Sequence, residues 1–261
     1  MAGKEFRPPV ELTKGGEHIE CPGCGHGIVT RLIFEVLEEM GQMDNQIAVH
    51  DVACGANMYQ IMDIDFIGGG HGRAVPTACG VKRVRPENLV YAYAGDGAFY
   101  SIGMAHTVHA AARNEKITVI CVNNTVYGMT GGQMSPASLF GQKTTSSPAG
   151  RNFDVNGQPV NIVDLYTNMD IAYLARGSVD SVANINKTKE YIRKAFEKQM
   201  AGEGFTFVEI LSPCPTNWNM TPTDAAKRIR EEVMQVYPVG EFIERSRLER
   251  AVKLLASITT L

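Results

Sequence analysis

Two groups of residues in this chain have the types and spacing to do chemistry. The first lies in GDGAFYSIGMAHTVHAAARNEKITVICVNN, which opens on Gly95-Asp96-Gly97 and closes on Asn123-Asn124. A carboxylate and an amide oxygen are hard donors of the kind magnesium takes, with phosphates and water filling the rest of its shell. Gly95 and Gly97 allow a diphosphate to approach the backbone, with the amides of Ala98 and Phe99 near the start of a helical stretch. A lone Gly-Asp-Gly is usually only a turn. Here a strand-like run before it, a helical run after it and a strand-terminal Asn pair together point to a ligand site. The second group is sulfur: Cys21-Pro-Gly-Cys24-Gly25-His26 stands before a helix, and Cys54, Cys79, Cys121 and Cys214 follow.

Three chemistries compete for those thiols. A thioredoxin-like dithiol needs a preceding βαβ context, and structural zinc normally needs a second close pair of ligands. An iron–sulfur cluster needs only four thiolates converging in space, some of them distant in sequence. Cys121, inside ITVICVNN, and Cys79, in TACGVK, read as small buried residues. Cys54 in DVACGAN and Cys214 in LSPCPTNW each follow a strand-like run, which brings them to the same sheet edge as Asp96. Cys21, Cys24, Cys54 and Cys214 are therefore the expected quartet.

The elements that must position these groups alternate. GIVTRLIFEVLEEM has helical spacing and a glycine stop, and IAVHDVACG is a short strand ending in a turn. LVYAYAGDG and KITVICVNN are apolar runs of the kind buried in a parallel sheet. IAYLARG, a helix around Val182–Met200 and FTFVEILSP continue the alternation. A strand, crossover helix and parallel strand take about 30 residues, so Asp96 and Asn124 fall at the carboxyl ends of two parallel strands. In open α/β sheets that is the ligand edge. The fold class is thus an open, mostly parallel α/β sheet with helices on both faces. Residues 1–20 read as an N-terminal arm, 21–220 as the ligand-binding domain and 221–261 as a charged helical extension on a surface or another subunit. Residues 128–170 show no clear pattern and read as a functional loop or partner contact.

Composition excludes several classes. A net charge of -3 over 261 residues gives no basic footprint for nucleic acid, and no apolar run is long enough to span a bilayer. The first residues lack a signal pattern, so a cytoplasmic protein is expected.

Gly-Asp-Gly followed at this distance by Asn-Asn resembles the thiamine diphosphate motif, and TVYGMTGGQMSP is similar to the next loop in 2-oxoacid:ferredoxin oxidoreductases. The CPGCG opening, the cysteine after the next strand and the late SPCPT also resemble the β subunits of that family, over roughly residues 18–220. The resemblance implies the diphosphate-domain fold. It implies magnesium on Asp96, Asn124 and the Val126 carbonyl, with Gly128, Met129 and Thr130 along the diphosphate. Gly25, Gly55, Gly72 and Tyr127 fall in the same cofactor-facing segments. It also implies a four-iron, four-sulfur cluster on Cys21, Cys24, Cys54 and Cys214.

His71, in the family's H-G-R-A segment, and His26 become polar contacts or proton relays; His18, His50, His106 and His109 receive no role. The implied reaction is coenzyme A-dependent oxidative decarboxylation of a 2-oxo acid, with electrons passing to ferredoxin. The implied partners are an α subunit supplying the pyrimidine-binding half and activating glutamate, and further γ and ferredoxin-like δ subunits. Some members carry a lysine in the loop matching Met129–Gln133; its absence here favours a branched apolar substrate such as 2-oxoisovalerate over 2-oxoglutarate. Arg73, Lys143 and Arg151 stay open as alternative cations. The competing functions are a non-redox thiamine-dependent decarboxylase subunit and a non-catalytic zinc or electron-transfer subunit.

Overall fold

The computed structural model describes residues 19–60, 62–246 and 248–249. The strands are β1 (Gln46–His50), β2 (Phe66–Gly68), β3 (Leu89–Gly95), β4 (Thr118–Asn123), β5 (Val126–Tyr127), β6 (Gln133–Met134), β7 (Tyr173–Ser178), β8 (Thr206–Leu211) and β9 (Gly240–Glu244). The helices are α1 (His26–Glu39), α2 (Ala74–Val84), α3 (Met104–Ala112), α4 (Phe153–Asn156), α5 (Ile162–Tyr166), α6 (Val182–Met200), α7 (Pro215–Trp218) and α8 (Pro222–Arg228). Seven strands form one sheet in the order β2-β1-β3-β4-β8-β7-β9. Every pairing in it is parallel except β7 with β9.

Why β3 and β4 are continuous apolar runs is evident from their surroundings: all but the last residue of β3, and all of β4, are buried. Alternate side chains enter two cores. Val90, Ala92 and Ala94 pack on the side of α2 and α3, while Leu89, Tyr91 and Tyr93 pack on the side of α1 and α6. The expected layering of helices on both faces is therefore present. Chain order reverses between β1 and β3, with β2 outside β1 on one side and β4 outside β3 on the other. Such a switch point opens a crevice beyond the strand carboxyl ends.

Two strands escape the pattern reading. β2 is three residues long, and β9 pairs antiparallel at an edge within the stretch expected to be helical. The first half of that stretch is helical, as α8 continuing through a wider turn at Ile229–Val233. It lies on this chain's own surface with one face turned inward: Ala225, Ile229, Val233 and Tyr237 are fully buried in the core, while most residues between them are exposed. Of the arm, only Ile19 and Glu20 are described; of the helix expected in RSRLERAVKLLAS, only Arg245, Ser246, Leu248 and Glu249 are among the described residues.

The patternless region 128–170 is held by a buried cation. Arg151 donates to the carbonyls of Ser135, Pro136, Ser138, Asn156, Gly157 and Gln158. One guanidinium thus ties together six backbone carbonyls of the segment.

Candidate functional site

A cavity of about 290 Å³ opens at the switch point. Val52, Ala53 and Cys54 line it from the segment after β1, His71 from the loop after β2, Gly95, Gly97 and Ala98 from the end of β3, and Asn124 with Val126 through Thr130 from the end of β4. Val126, Tyr127, Gly128 and Met129 are among the last group, and His26 enters from α1. Thr125 is not a lining residue.

Asp96 lies beneath this wall, fully buried. Its Oδ1 accepts from the Asn124 backbone N–H at 3.3 Å and its Oδ2 from the Ser135 hydroxyl. Burial raises its carboxyl to about 7, against the lowering effect of those hydrogen bonds. A carboxylate that costly to ionise is suited to a cation. Asn124 offers a side-chain oxygen alongside, engaged at 3.2 Å by the Val126 amide but with a second lone pair free in that geometry. Hard oxygen donors few enough to leave room for phosphate fit magnesium.

The loop carrying these donors is braced from behind. Thr125 has φ of 61°, a left-handed conformation unfavourable for a β-branched residue. Its amide donates to Asn123 Oδ1 at 3.0 Å, and its carbonyl accepts from Ser138 and Gln142. The Asn123 amide donates in turn to Glu209 Oε1 at 2.7 Å, which also accepts from the Tyr100 hydroxyl at 2.8 Å. Arg176 pairs with the other oxygen of Glu209, and both residues are buried. The Trp218 indole donates to the Asn124 carbonyl at 3.1 Å.

Gly97 has a strict reason to be glycine: a Cβ there would stand 2.3 Å from the Tyr127 ring, whose hydroxyl donates back to the Gly97 carbonyl. Gly25, Gly55 and Gly72 are not brought to the cavity wall. A Cβ on Gly25 would meet Ser212 Oγ at 2.2 Å, so Gly25 serves close packing of the cysteine turn on the end of β8. Gly55 backs on Tyr93, and Gly72 on Ile102 and Gly103.

The thiols gather on the same side. Cys24 closes a turn onto the Cys21 carbonyl, and the Gly25 amide reaches the Pro213 carbonyl at 3.4 Å, next to Cys214. A Cβ on Gly128 would lie 3.3 Å from Cys54 Sγ. Burial drives the Cys54 thiol up to about 12, with Glu20, Cys214 and Cys21 adding to the effect. Cys24 is raised well above the thiol range by burial, then by Glu20, Cys214 and Cys54. Cys214 is raised as well, by burial first and with Cys21 among the contributors. All six cysteines are free.

Among the described residues no three His, Cys, Asp or Glu side chains converge tightly enough to hold a single ion. That is no obstacle to a polynuclear cluster, whose cysteines stand farther apart than the ligands of one ion. Thiols that strain one another as anions fit a cationic iron core. Cys79 and Cys121 are buried elsewhere, as the sequence suggests.

The two histidines differ. His71 Nδ1 lies 2.9 Å from both Asp51 Oδ1 and the Val52 carbonyl. Both partners are acceptors, so Nδ1 carries the proton and Nε2 is left free. Asp51 is buried at the end of β1, where it also accepts from the Gly72 amide at 3.0 Å. Sequence reasoning missed it; its only signal is a carboxylate directly after an apolar strand. His26 Nδ1 lies 2.7 Å from the Tyr93 hydroxyl, and burial lowers this imidazole to about 4. It is a neutral group. No lysine, arginine or carboxylate belongs to the described cavity wall. Arg151 is committed to backbone carbonyls, and Arg73 donates to the Gly72 and Ile102 carbonyls.

Comparison with known proteins follows the same lines. Residues 40–210 match the model of the thiamine pyrophosphate enzyme C-terminal TPP-binding domain. Ketoisovalerate oxidoreductase subunit VorA of Methanothermobacter marburgensis is 39% identical over 227 residues, covering 87% of this chain and 48% of that protein. The chain therefore spans about half the length of that relative. The 2-oxoglutarate synthase subunit KorB of Methanocaldococcus jannaschii is 35% identical over 237 residues, covering 87% of this chain and 82% of that one. A solved 2-oxoglutarate:ferredoxin oxidoreductase from Magnetococcus marinus, with 2-oxoglutarate, coenzyme A and succinyl-CoA bound, shares the fold. Its TM-score is 0.75 at 23% identity, covering 99% of this chain and 93% of that one.

Proposed function

The chain belongs to the 2-oxoacid:ferredoxin oxidoreductase subunits that carry the thiamine pyrophosphate-binding domain, and on that premise we propose that it is the subunit in which a 2-oxo acid is oxidatively decarboxylated to an acyl-CoA. One observation carries the reading: Asn124, whose backbone amide meets buried Asp96, and Cys54, whose sulfur faces Gly128 and whose charge is felt by Cys24 as it feels Cys21 and Cys214, line the same cavity at the sheet's switch point. When bound, thiamine diphosphate supplies the carbanion chemistry of decarboxylation and an iron–sulfur cluster supplies one-electron acceptance.

This chain's residues do the rest. Asp96, Asn124 and the Val126 carbonyl would hold magnesium, and Gly97, Ala98 and Gly128–Thr130 would bring backbone to the diphosphate. Cys21, Cys24, Cys54 and Cys214 would hold the cluster. His71, with its tautomer fixed by Asp51, presents a proton-accepting Nε2 to the cavity, while neutral His26 offers a polar edge without charge. Val52, Ala53 and Met129 give the wall an apolar character, and no cation in it meets a second carboxylate. That favours a branched aliphatic 2-oxo acid such as 2-oxoisovalerate, with 2-oxoglutarate second. The α subunit supplies the activating glutamate, since the described cavity wall contains none. Coenzyme A takes the acyl group, and ferredoxin, with γ and δ subunits, takes the electrons. Among the described residues no helix is long and apolar enough to cross a membrane.

The test is turnover of the native complex against a panel of 2-oxo acids, with coenzyme A and ferredoxin. Coenzyme A-dependent ferredoxin reduction fastest with 2-oxoisovalerate supports the reading. Carbon dioxide release without ferredoxin reduction supports the non-redox decarboxylase. A colourless zinc-bearing chain without turnover supports the binding subunit.

A further inference from the structure

We propose that Asn217 is a positioning residue whose amide clamps the diphosphate-binding loop to the sulfur of Cys214, so that one side chain conditions both cofactors. The inference rests on the two-cofactor reading above. Its basis is the turn α7. Cys214 precedes this turn, Pro215 begins it, and Asn219 ends it in a left-handed conformation with φ of 54°. This short element presents two side chains to the loop that runs from Asn124 to Gly132.

Asn217 Nδ2 donates to the Gly128 carbonyl at 3.0 Å and to Cys214 Sγ at 3.3 Å. An amide nitrogen carries two hydrogens, so both bonds can form at once. The other side of the same amide is equally constrained: a Cβ on Gly132, which has φ of +81°, would stand 2.9 Å from Asn217 Oδ1. Gly128 is thus fixed between Asn217 and the sulfur of Cys54, with Asn124 Nδ2 also beside it. Nothing in the sequence motif alone assigns Asn217 this place.

The physical consequences are separable. An N–H donor to a cluster-bound thiolate offsets the negative charge that reduction adds, which raises the reduction potential. The same nitrogen, through Gly128, holds the loop in its diphosphate-receiving shape. A residue that only packed the loop would affect cofactor affinity and leave the potential alone.

The experiment compares the native complex carrying wild-type chain, Asn217→Ala and the near-isosteric Asn217→Asp, which loses the donor. Iron and sulfide per chain are measured first. The cluster potential is then titrated, followed by electron paramagnetic resonance, and magnesium–thiamine diphosphate is titrated calorimetrically into cofactor-stripped protein. Both variants are expected to shift the potential negative, Asn217→Asp further because it adds charge beside the sulfur. Both are expected to weaken cofactor binding about tenfold, the effect of losing one hydrogen bond at a formed site. An unchanged potential, or unchanged cofactor affinity, in both variants overturns the clamp while leaving the two-cofactor reading intact. A wild-type complex without iron, or without thiamine diphosphate binding, overturns that reading and this inference together.

Discussion

Replacing Glu209 by glutamine alters one atom in a fully buried site and isolates a charge. Glu209 Oε1 accepts from Tyr100 and Asn123, and Oε2 from Arg176. Glutamine offers one acceptor oxygen and an NH2 group, so one side of the network must face a donor with a donor. The Arg176 guanidinium would be left buried with its carboxylate neutralised; its remaining partners are the Pro238 carbonyl and Asn161. Breaking a buried pair in this way costs about 3–5 kcal/mol. In a chain of this size that lowers the unfolding midpoint by roughly 6–20 °C.

The damage should also reach the site, because Asn123 holds Thr125 in its left-handed conformation. Cofactor affinity is expected to fall about tenfold, in line with a lost charge-assisted hydrogen bond. The assay is calorimetric unfolding with magnesium–thiamine diphosphate titration, on Glu209→Gln, Arg176→Gln and the double variant. The double variant, with both charges removed, should recover much of the stability lost in either single variant. A single Glu209→Gln within about 0.5 kcal/mol of wild type, the range of ordinary surface changes, would refute the reasoning.

Other predictions follow from single groups. His50 is buried, neither ring nitrogen has a hydrogen-bond partner among the described residues, and burial lowers it to about 4. The unfolded chain takes up that proton from about pH 6.5 downward, whereas the folded chain resists it. Stability should therefore fall as pH drops from about 6.5 toward 4, by roughly 3 kcal/mol for this residue. Urea unfolding across that range should show the acid slope reduced by about one proton in His50→Leu. Asp51→Asn removes the carboxylate that, together with the Val52 carbonyl, orients His71 through Nδ1. It should lower kcat about a hundredfold, the low end of general acid–base effects, with KM little changed; unchanged kcat alongside an inactive His71→Gln would remove Asp51 from the account. Chelation of magnesium should release thiamine diphosphate from wild-type chain, and Asp96→Asn should need a much higher magnesium concentration to rebind it, measured by equilibrium dialysis.

Much of this arrangement is legible in the sequence because the sheet edge is written locally. LVYAYAG and TVICVN announce buried strands by composition, and the residues immediately after each, Asp96 and Asn124, must then stand at their carboxyl ends. Cys54 and Cys214 likewise follow strands β1 and β8, whereas Cys21 and Cys24 precede α1 and join them only through the resemblance to the family. What is not legible depends on pairings between distant segments. Glu209 and Arg176 each interrupt an apolar run with a charge, and they are register partners on β8 and β7. That match is visible only once the strand order is known. β9 reads as polar because GEFIE pairs at an edge and buries little beyond Ile243. Asp51, Asn217 and Trp218 act through hydrogen bonds to backbone far away in the chain, for which no local pattern exists.

The central claim is that one chain places a redox cluster beside a thiamine site, and iron and acid-labile sulfide analysis of anaerobically purified protein tests it most directly. The account predicts about four of each per chain, the stoichiometry of a cubane cluster, and their loss when Cys54 or Cys214 is replaced by serine. Wild-type chain free of iron, or iron retained unchanged in both replacements, would contradict it.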